Sequence, residues 1–290
     1  MPTRFAPSPT GRLHLGHAYA ALFAWERAQE RNDRFLLRLE DLDQARARPQ
    51  HEETIYQDLR WLGLTWEQPV WRQSERPAAY QAALDQLAAR DLLYPCFCTR
   101  KDIQTELARI TNAPHGPEGP LYPGTCRQLS PTQRQDRLAQ GQPHSLRLDL
   151  AQALAQTGPL TWHEIGLGDH TGGAEALGDV ILSRKDAPAA YHLAVVVDDA
   201  AQGIDLVTRG EDLRHATPLH RLLQELLGLP VPQWQHHRLI RDENGHRLAK
   251  RHPSLTLANL RAQGETPDTL QKRLAIHLAE SPRTQQPTRN

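Results

Sequence analysis

The sequence predicts an α/β fold: a parallel sheet in two halves, split by an inserted α+β subdomain and followed by a short helical C-terminal region. Three observations predict it. A short apolar strand at the start runs through a Pro/Gly turn into an amphipathic helix. All three cysteines fall in one Pro/Gly-rich segment. Strand-and-helix alternation returns after it. The expected divisions are 1–93 for the first half, 94–177 for the insertion, 178–229 for the second half and 230–290 for a basic loop with terminal helices.

Composition bounds the function. The 290 residues can bury a sizeable core in one large or two ordinary domains. Lys+Arg 34 balance Asp+Glu 34, so a nucleic-acid partner needs a local basic patch rather than a global field. Three cysteines without a secretory pattern suggest a reducing compartment, with metal ligands or free thiols. Met1-Pro2-Thr3-Arg4 runs straight into a strand and leaves no room for a signal peptide. No apolar run approaches membrane-spanning length. The expected compartment is the cytoplasm.

Arg4-Phe5-Ala6 reads as the first strand. In Pro7-Ser8-Pro9-Thr10-Gly11-Arg12-Leu13-His14-Leu15-Gly16-His17, prolines and Gly11 force an extended turn. Leu15 to Arg31 then reads as a helix with Leu15, Ala18, Ala21, Leu22 and Trp25 on one stripe. His14 and His17 are three apart and share a face, and Gly16 leaves the backbone open between them. Two imidazoles at a helix N-terminus make an anion site. It is neither a P-loop nor a dinucleotide fingerprint.

Phe35 to Asp41 reads as a strand ending in acid, where Glu40 either faces a ligand or caps a helix with Asp41 and Asp43. Pro49–Leu62 and Pro77–Leu93 read as amphipathic helices. Trp61, Trp66 and Trp71 could stack on bases, but core is the better reading. In the insertion, spacing alone nominates Cys96, Cys98, Cys126 and His115 as a zinc set, against three buried unligated thiols. Ser130–Gly141 reads as a polar helix, Ser145–Leu150 as a half-buried strand and Leu160–Gly173 as irregular.

The sheet is expected to resume at Gly178–Arg184. The valine run within Pro188–Asp199 sits in an Ala-rich context and reads as helix. Gly203–Gly210 reads as a buried strand with Arg209 at its carboxyl end, as ion-pair partner or carboxylate receptor. Thr217–Leu227 reads as a helix, Trp234–Ile240 as a strand, and two helices plus a polar tail as the end.

His14-Leu15-Gly16-His17 after Arg4–Gly11 resembles the HIGH motif of class I aminoacyl-tRNA synthetases, and the longer string resembles their glutamyl branch. Leu37–Asp43 and Asp179–Leu213, including Arg209-Gly210-Glu211-Asp212-Leu213, extend the resemblance. Arg247-Leu248-Ala249-Lys250-Arg251 looks like the KMSKS loop, with Arg for the first Lys and Ala for the first Ser.

The resemblance implies a Rossmann-type parallel sheet. It places Arg4, Phe5, Ala6, Pro7, Ser8, Glu40, Tyr191 and Arg209 around glutamate, with Glu40 suited to its ammonium group. It places His14, Gly16, His17 and Lys250 on ATP, with His14, His17 and Lys250 catalytic and Mg²⁺ accompanying the nucleotide. It favours Tyr122, four residues before Cys126, over His115 as the fourth ligand of one structural zinc beside Cys96, Cys98 and Cys126.

Only 39 residues follow Arg251 (290 − 251), too few for the anticodon-binding domains of a full-length enzyme. Truncation with this insertion resembles the short glutamyl-synthetase-like branch. That branch activates L-glutamate with ATP without needing tRNA and transfers it to the queuosine wobble base of tRNA(Asp). A monomer with these substrates and no membrane partner is the expectation. Its rivals are a short enzyme charging a tRNA 3′ end and a non-catalytic RNA-binding relative.

Overall fold

Residue alternation along the first strands decides the architecture. In the computed structural model, which describes residues 1–108, 115–240 and 256–279, β1 (Thr3–Phe5) runs parallel to β2 (Phe35–Leu39). Both are buried throughout, so successive side chains must serve two different layers. Odd positions face α1 (Leu15–Gln29): Thr3 Oγ1 donates to the Ala24 carbonyl at 2.7 Å, and Phe5, Phe35, Leu37 and Leu39 share a core with Leu22 and Phe23. Ile55 and Leu59 of α2 (Pro49–Trp61) join that core. Even positions carry Arg4, Leu36 and Arg38 to the opposite face.

The edge strand β3 (Glu67–Arg72) pairs parallel with β2 and was not legible in the sequence, being polar and largely exposed. Trp61 and Trp66 pack half-buried against the first core, as the core reading expects. Trp71 is half-buried under the Arg76 guanidinium, 4.2 Å from its ring centre.

After α3 (Pro77–Ala88) the chain enters the insertion: β4 (Leu93–Cys96), α4 (Arg100–Ala108), the short ribbon β5 (His115–Gly116) and β6 (Gly119–Pro120), α5 (Pro131–Ala139), β7 (Ser145–Leu148) and α6 (Leu150–Thr157). Ser130 caps α5 in a reciprocal box with Gln133. Next come β8 (Thr161–Glu164), β9 (Gly168–Thr171) and β10 (Ile181–Ser183).

Two expectations are corrected here. The stretch 178–184 does not resume the parallel sheet: β10 pairs antiparallel with β7, which pairs antiparallel with β4. An apolar run marks a strand without naming its partner. Leu160–Gly173 is not irregular: it holds the β8–β9 hairpin, whose turn uses Gly166 (φ 87°) and Gly168 (φ 85°). The glycines disguised a strand that joins the main sheet.

The valine run lies in α7 (Tyr191–Ala201), as its context indicated. Then β11 (Leu206–Gly210), α8 (Thr217–Leu227) and β12 (Gln233–His237) complete the sheet. β12 lies parallel to both β11 and β8. The Pro2 carbonyl accepts from Asp205 N (3.3 Å) and Leu206 N (3.2 Å), stitching β1 to β11. The strands therefore run β3-β2-β1-β11-β12-β8-β9.

A second core unites Tyr80 and Leu84 of α3, Leu193 and Val196 of α7, and Leu222 and Leu223 of α8. The terminal helices α9 (Leu257–Ala262) and α10 (Pro267–Ala279) return to the first core through Leu257, Leu260 and Leu270. Among the described residues, no helix is long and apolar enough to cross a membrane.

Candidate active site

The turn after β1 delivers two histidines as a pair. His14 is the N-cap of α1, and its Nδ1 accepts the Gly16 N–H at 3.1 Å. His17 Nδ1 accepts the His14 N–H at 3.2 Å, closing a capping box made of imidazoles. The rings stack with centres 3.8 Å apart. With both Nδ1 atoms accepting, a neutral ring carries its proton on Nε2. Gly16 also has a local steric reason. A Cβ there would stand 3.0 Å from His14 Cε1, so the His14 ring lies close over this backbone.

The even positions of the strands build the second part. Arg4 of β1 is buried, donating from Nε and Nη2 to Asp199 Oδ1 (2.9 Å) and Oδ2 (3.1 Å), and from Nη1 to the Thr208 carbonyl (3.0 Å). Arg38 of β2, fully buried, donates to the same Asp199 oxygen at 2.8 Å and to Gln202 at 2.8 Å. Asp198 accepts from Arg76 (2.6 Å), Tyr80 (2.8 Å) and Gln73 (3.1 Å). Glu40 lies just past β2, 3.6 Å from Arg38, with its N–H on the Pro7 carbonyl at 3.1 Å. Burial pushes the Glu40 carboxyl up against the pull of Arg38 and Arg4. Three arginines, Arg4, Arg38 and Arg76, thus face three carboxylates, Glu40, Asp198 and Asp199.

Arg38, Asp198 and Asp199 were not singled out from sequence. The available signal was an arginine inside a fully apolar strand and an acid pair closing an apolar helix. Phe5 and Pro7 are buried, Ala6 is half-buried and Ser8 is exposed, on the turn that leaves β1.

Arg209 of β11 is buried and differently partnered. Its Nε donates to His236 Nε2 (3.0 Å), Nη1 to His220 Nδ1 (3.0 Å) and Nη2 to Thr217 Oγ1 (2.7 Å). Burial pushes the Tyr191 hydroxyl up, while the nearby Arg209 and Arg4 pull it down. Arg4, Glu40, Tyr191 and Arg209 therefore share one electrostatic neighbourhood at the carboxyl ends of β1, β2 and β11. This is where open α/β sheets bind ligands.

The cysteines gather at the end of β4. The Cys96, Cys98 and Cys126 sulfurs lie within 4.8 Å of one another, with Cys98 to Cys126 at 3.5 Å. Tyr122 Oη lies 3.4 Å from Cys96 Sγ and 3.5 Å from Cys98 Sγ. A tetrahedron with metal–sulfur bonds of about 2.3 Å and a metal–oxygen bond of about 2.0 Å has edges of roughly 3.5–3.8 Å, so the donor set fits. His115, on β5, is outside this group of close ligand atoms among the described residues. Hydrogen bonding with Cys126 and Tyr122, and the charge of Arg147, pull the Cys96 thiol down; hydrogen bonding with Cys96 and burial push Cys126 up.

The basic segment Arg247–Arg251, with Lys250, lies outside the described residues. Its downstream flank returns to the histidines: Thr256 forms an antiparallel bridge with His14, and Leu257 N donates to the Leu13 carbonyl at 3.0 Å. A cavity of about 820 Å³ between the insertion and the start of α7 reaches Tyr191 and His192 and is lined also by Arg147, Arg184 and Lys185.

A family profile described as tRNA synthetases class I (E and Q), catalytic domain, matches residues 1–281. Glutamyl-Q tRNA(Asp) synthetase of Rhodobacter capsulatus is 49% identical over 285 residues, 95% of this chain and 100% of that protein. Glutamate–tRNA ligase of Aquifex aeolicus is 36% identical over 92% of this chain and 55% of its own length. The solved glutamate-tRNA synthetase of Elizabethkingia anophelis superposes with a TM-score of 0.73 at 28% identity, over 87% of this chain and 52% of that one. The chain thus spans about half the length of these last two proteins.

Proposed function

The chain belongs to the class I tRNA synthetase (E and Q) catalytic-domain family and is a ligase of that type; from that premise we propose that it activates L-glutamate with ATP, without tRNA, and transfers it to the queuosine wobble base of tRNA(Asp). The observation that carries the reading is the buried Arg209, held by neutral groups beside Glu40 and Tyr191. A guanidinium in that state suits a carboxylate, and Glu40 suits an ammonium group.

In this reading the glutamate α-carboxylate attacks the α-phosphorus of ATP in line and pyrophosphate leaves. Mg²⁺ arrives with the nucleotide. The Nε2–H groups of His14 and His17 and the N-terminus of α1 stabilise the charge that develops on the phosphate oxygens. Lys250 draws on the departing diphosphate. A hydroxyl of the cyclopentene ring of queuosine then attacks the mixed anhydride carbonyl, and AMP leaves. Binding and alignment do most of the work, and no protein nucleophile is required.

Zinc held by Cys96, Cys98, Tyr122 and Cys126 would fix the end of β4 against the loop bearing Tyr122. Its role is structural, since the set offers four protein donors and no open position. The likeness to the Rhodobacter protein over its whole length favours the modified-base acceptor over a tRNA 3′ end.

The test is acceptor identity. Radiolabelled glutamate, ATP and tRNA from cells with and without queuosine are incubated with the protein, and the tRNA is cleaved into fragments. Label on the anticodon stem-loop, dependent on queuosine, is expected. Label at the 3′ end regardless of queuosine overturns the assignment in favour of a short charging enzyme.

A further inference from the structure

Arginine has only donors, so every atom facing the buried Arg209 guanidinium must be an acceptor. That fixes two histidine tautomers. His236 Nε2 accepts from Arg209, so its proton sits on Nδ1 and is donated to Glu164 Oε2 at 2.7 Å. Glu164, itself buried, also accepts the His236 backbone N–H at 2.8 Å. His220 Nδ1 accepts from Arg209, so its Nε2–H is donated to His192 Nδ1 at 3.1 Å. Burial holds His236 down at about 4 and His220 well below its ordinary value, so both rings are neutral at pH 7.

The contrast with Arg4 and Arg38 gives this meaning. Those guanidiniums rest on Asp199. Arg209 has no carboxylate within ion-pair distance among the described residues; Asp199, held by Arg4 and Arg38, acts on it only from beyond that distance, and Glu164 is linked to it only through the His236 ring. The carboxylate aims the ring without neutralising the cation. A buried guanidinium without an anion paired directly to it is costly, and the cost is relieved when a ligand brings its own anion.

Resting on the reading of this pocket as a glutamate site, we propose that His220 and His236 are positioning residues that set its preference for a dicarboxylate over the corresponding amide. They supply the acceptors that aim Arg209 while withholding the negative charge that would satisfy it. An acceptor of the same shape carrying a charge would remove the preference without removing the pocket.

The experiment compares His220→Asn with His220→Asp, since the Oδ1 of either can take the place of the ring Nδ1. ATP–pyrophosphate exchange is measured with glutamate, with glutamine and at varied ATP. In His220→Asn, KM for glutamate should stay within about fivefold of the unaltered protein, whereas in His220→Asp it should rise at least ~50-fold and the glutamate-over-glutamine ratio of kcat/KM should fall at least ~10-fold. KM for ATP should move less than about twofold in both. The pair His236→Gln and His236→Glu repeats the comparison at Nε and serves if either His220 variant fails to fold. Equal glutamate KM and equal selectivity in the neutral and charged variants overturn the inference. Absence of exchange with glutamate in the unaltered protein overturns the underlying reading, and this inference with it.

Discussion

Arg4 and Asp199 form a buried two-pronged ion pair, Nε to Oδ1 at 2.9 Å and Nη2 to Oδ2 at 3.1 Å, between residues 195 positions apart in sequence. It joins the first strand to the helix before β11, and Arg38 completes it from β2. Arg4, read from the sequence as a substrate-gripping guanidinium, has much of its charge occupied inside the fold. Removing the acid alone strips Arg4 of its ion-pair partner and leaves Arg38 with only the longer contacts to Glu40 (3.6 Å) and Asp198 (3.9 Å). Asp199→Asn is expected to destabilise the protein by about 3–5 kcal/mol, read by urea unfolding. A loss below about 1 kcal/mol would show that the pair does not tie the halves together.

Asp58 gives a pH dependence of opposite sense to most acids. It is fully buried in α2, neither carboxylate oxygen has a hydrogen-bond partner among the described residues, and Arg261 approaches only to 3.8 Å. Burial pushes its carboxyl up to about 6. That lies above the unfolded value near 4, so the folded state holds the proton more tightly and this group's contribution to stability falls as pH rises from about 4 to about 6. Asp58→Asn should flatten that slope and add roughly 2–3 kcal/mol at pH 7. Unfolding free energies at pH 4.5 and 7 for both proteins check it.

Gly16→Ala improves helix propensity yet crowds His14, whose Cε1 would lie 3.0 Å from the new Cβ. The ring must shift by a few tenths of an ångström, and its stack on His17 with it. Adenylate formation should slow by about 10-fold or more while stability changes by less than about 1 kcal/mol. An unchanged exchange rate would mean that the position of the His14 ring does not matter to the chemistry.

Lys250→Ala should lower the rate of adenylate formation by about 10²–10³-fold. Glutamate affinity, measured calorimetrically, should stay within about twofold, because the proposed role is exerted only as pyrophosphate departs. Equal pyrophosphate exchange in the variant would remove that role.

The cluster of Cys96, Cys98, Cys126 and Tyr122 should bind one zinc ion per chain and release protons on binding. Tyr122→Phe should weaken zinc binding by about 10–100-fold, and Cys126→Ser by more. Chelation should expose the apolar surface around Phe97, which packs against Cys96 and Cys126. Metal analysis and thiol titration with and without chelator read both effects. Full zinc retention in Tyr122→Phe would exclude the tyrosine as ligand.

By itself, the sequence determined the features written in local chemistry. Prolines and Gly11 fix the turn into α1, and the His14–His17 spacing follows from helix geometry. Leu and Ala stripes place α2, α3 and α8, and the cysteine spacing marks the segment where three sulfurs gather. The tertiary structure decided what depends on pairing across long separations. It sent β10 to β7 and brought β8, ahead of its glycine turn, into the main sheet. It also sorted the arginines: Arg4 and Arg38 met Asp199, while Arg209 met two imidazoles. The physical reason is that a side chain's charge and period can be read from its neighbours in sequence, whereas its partner is chosen by the fold, and in a buried site the partner decides which charge remains for a ligand.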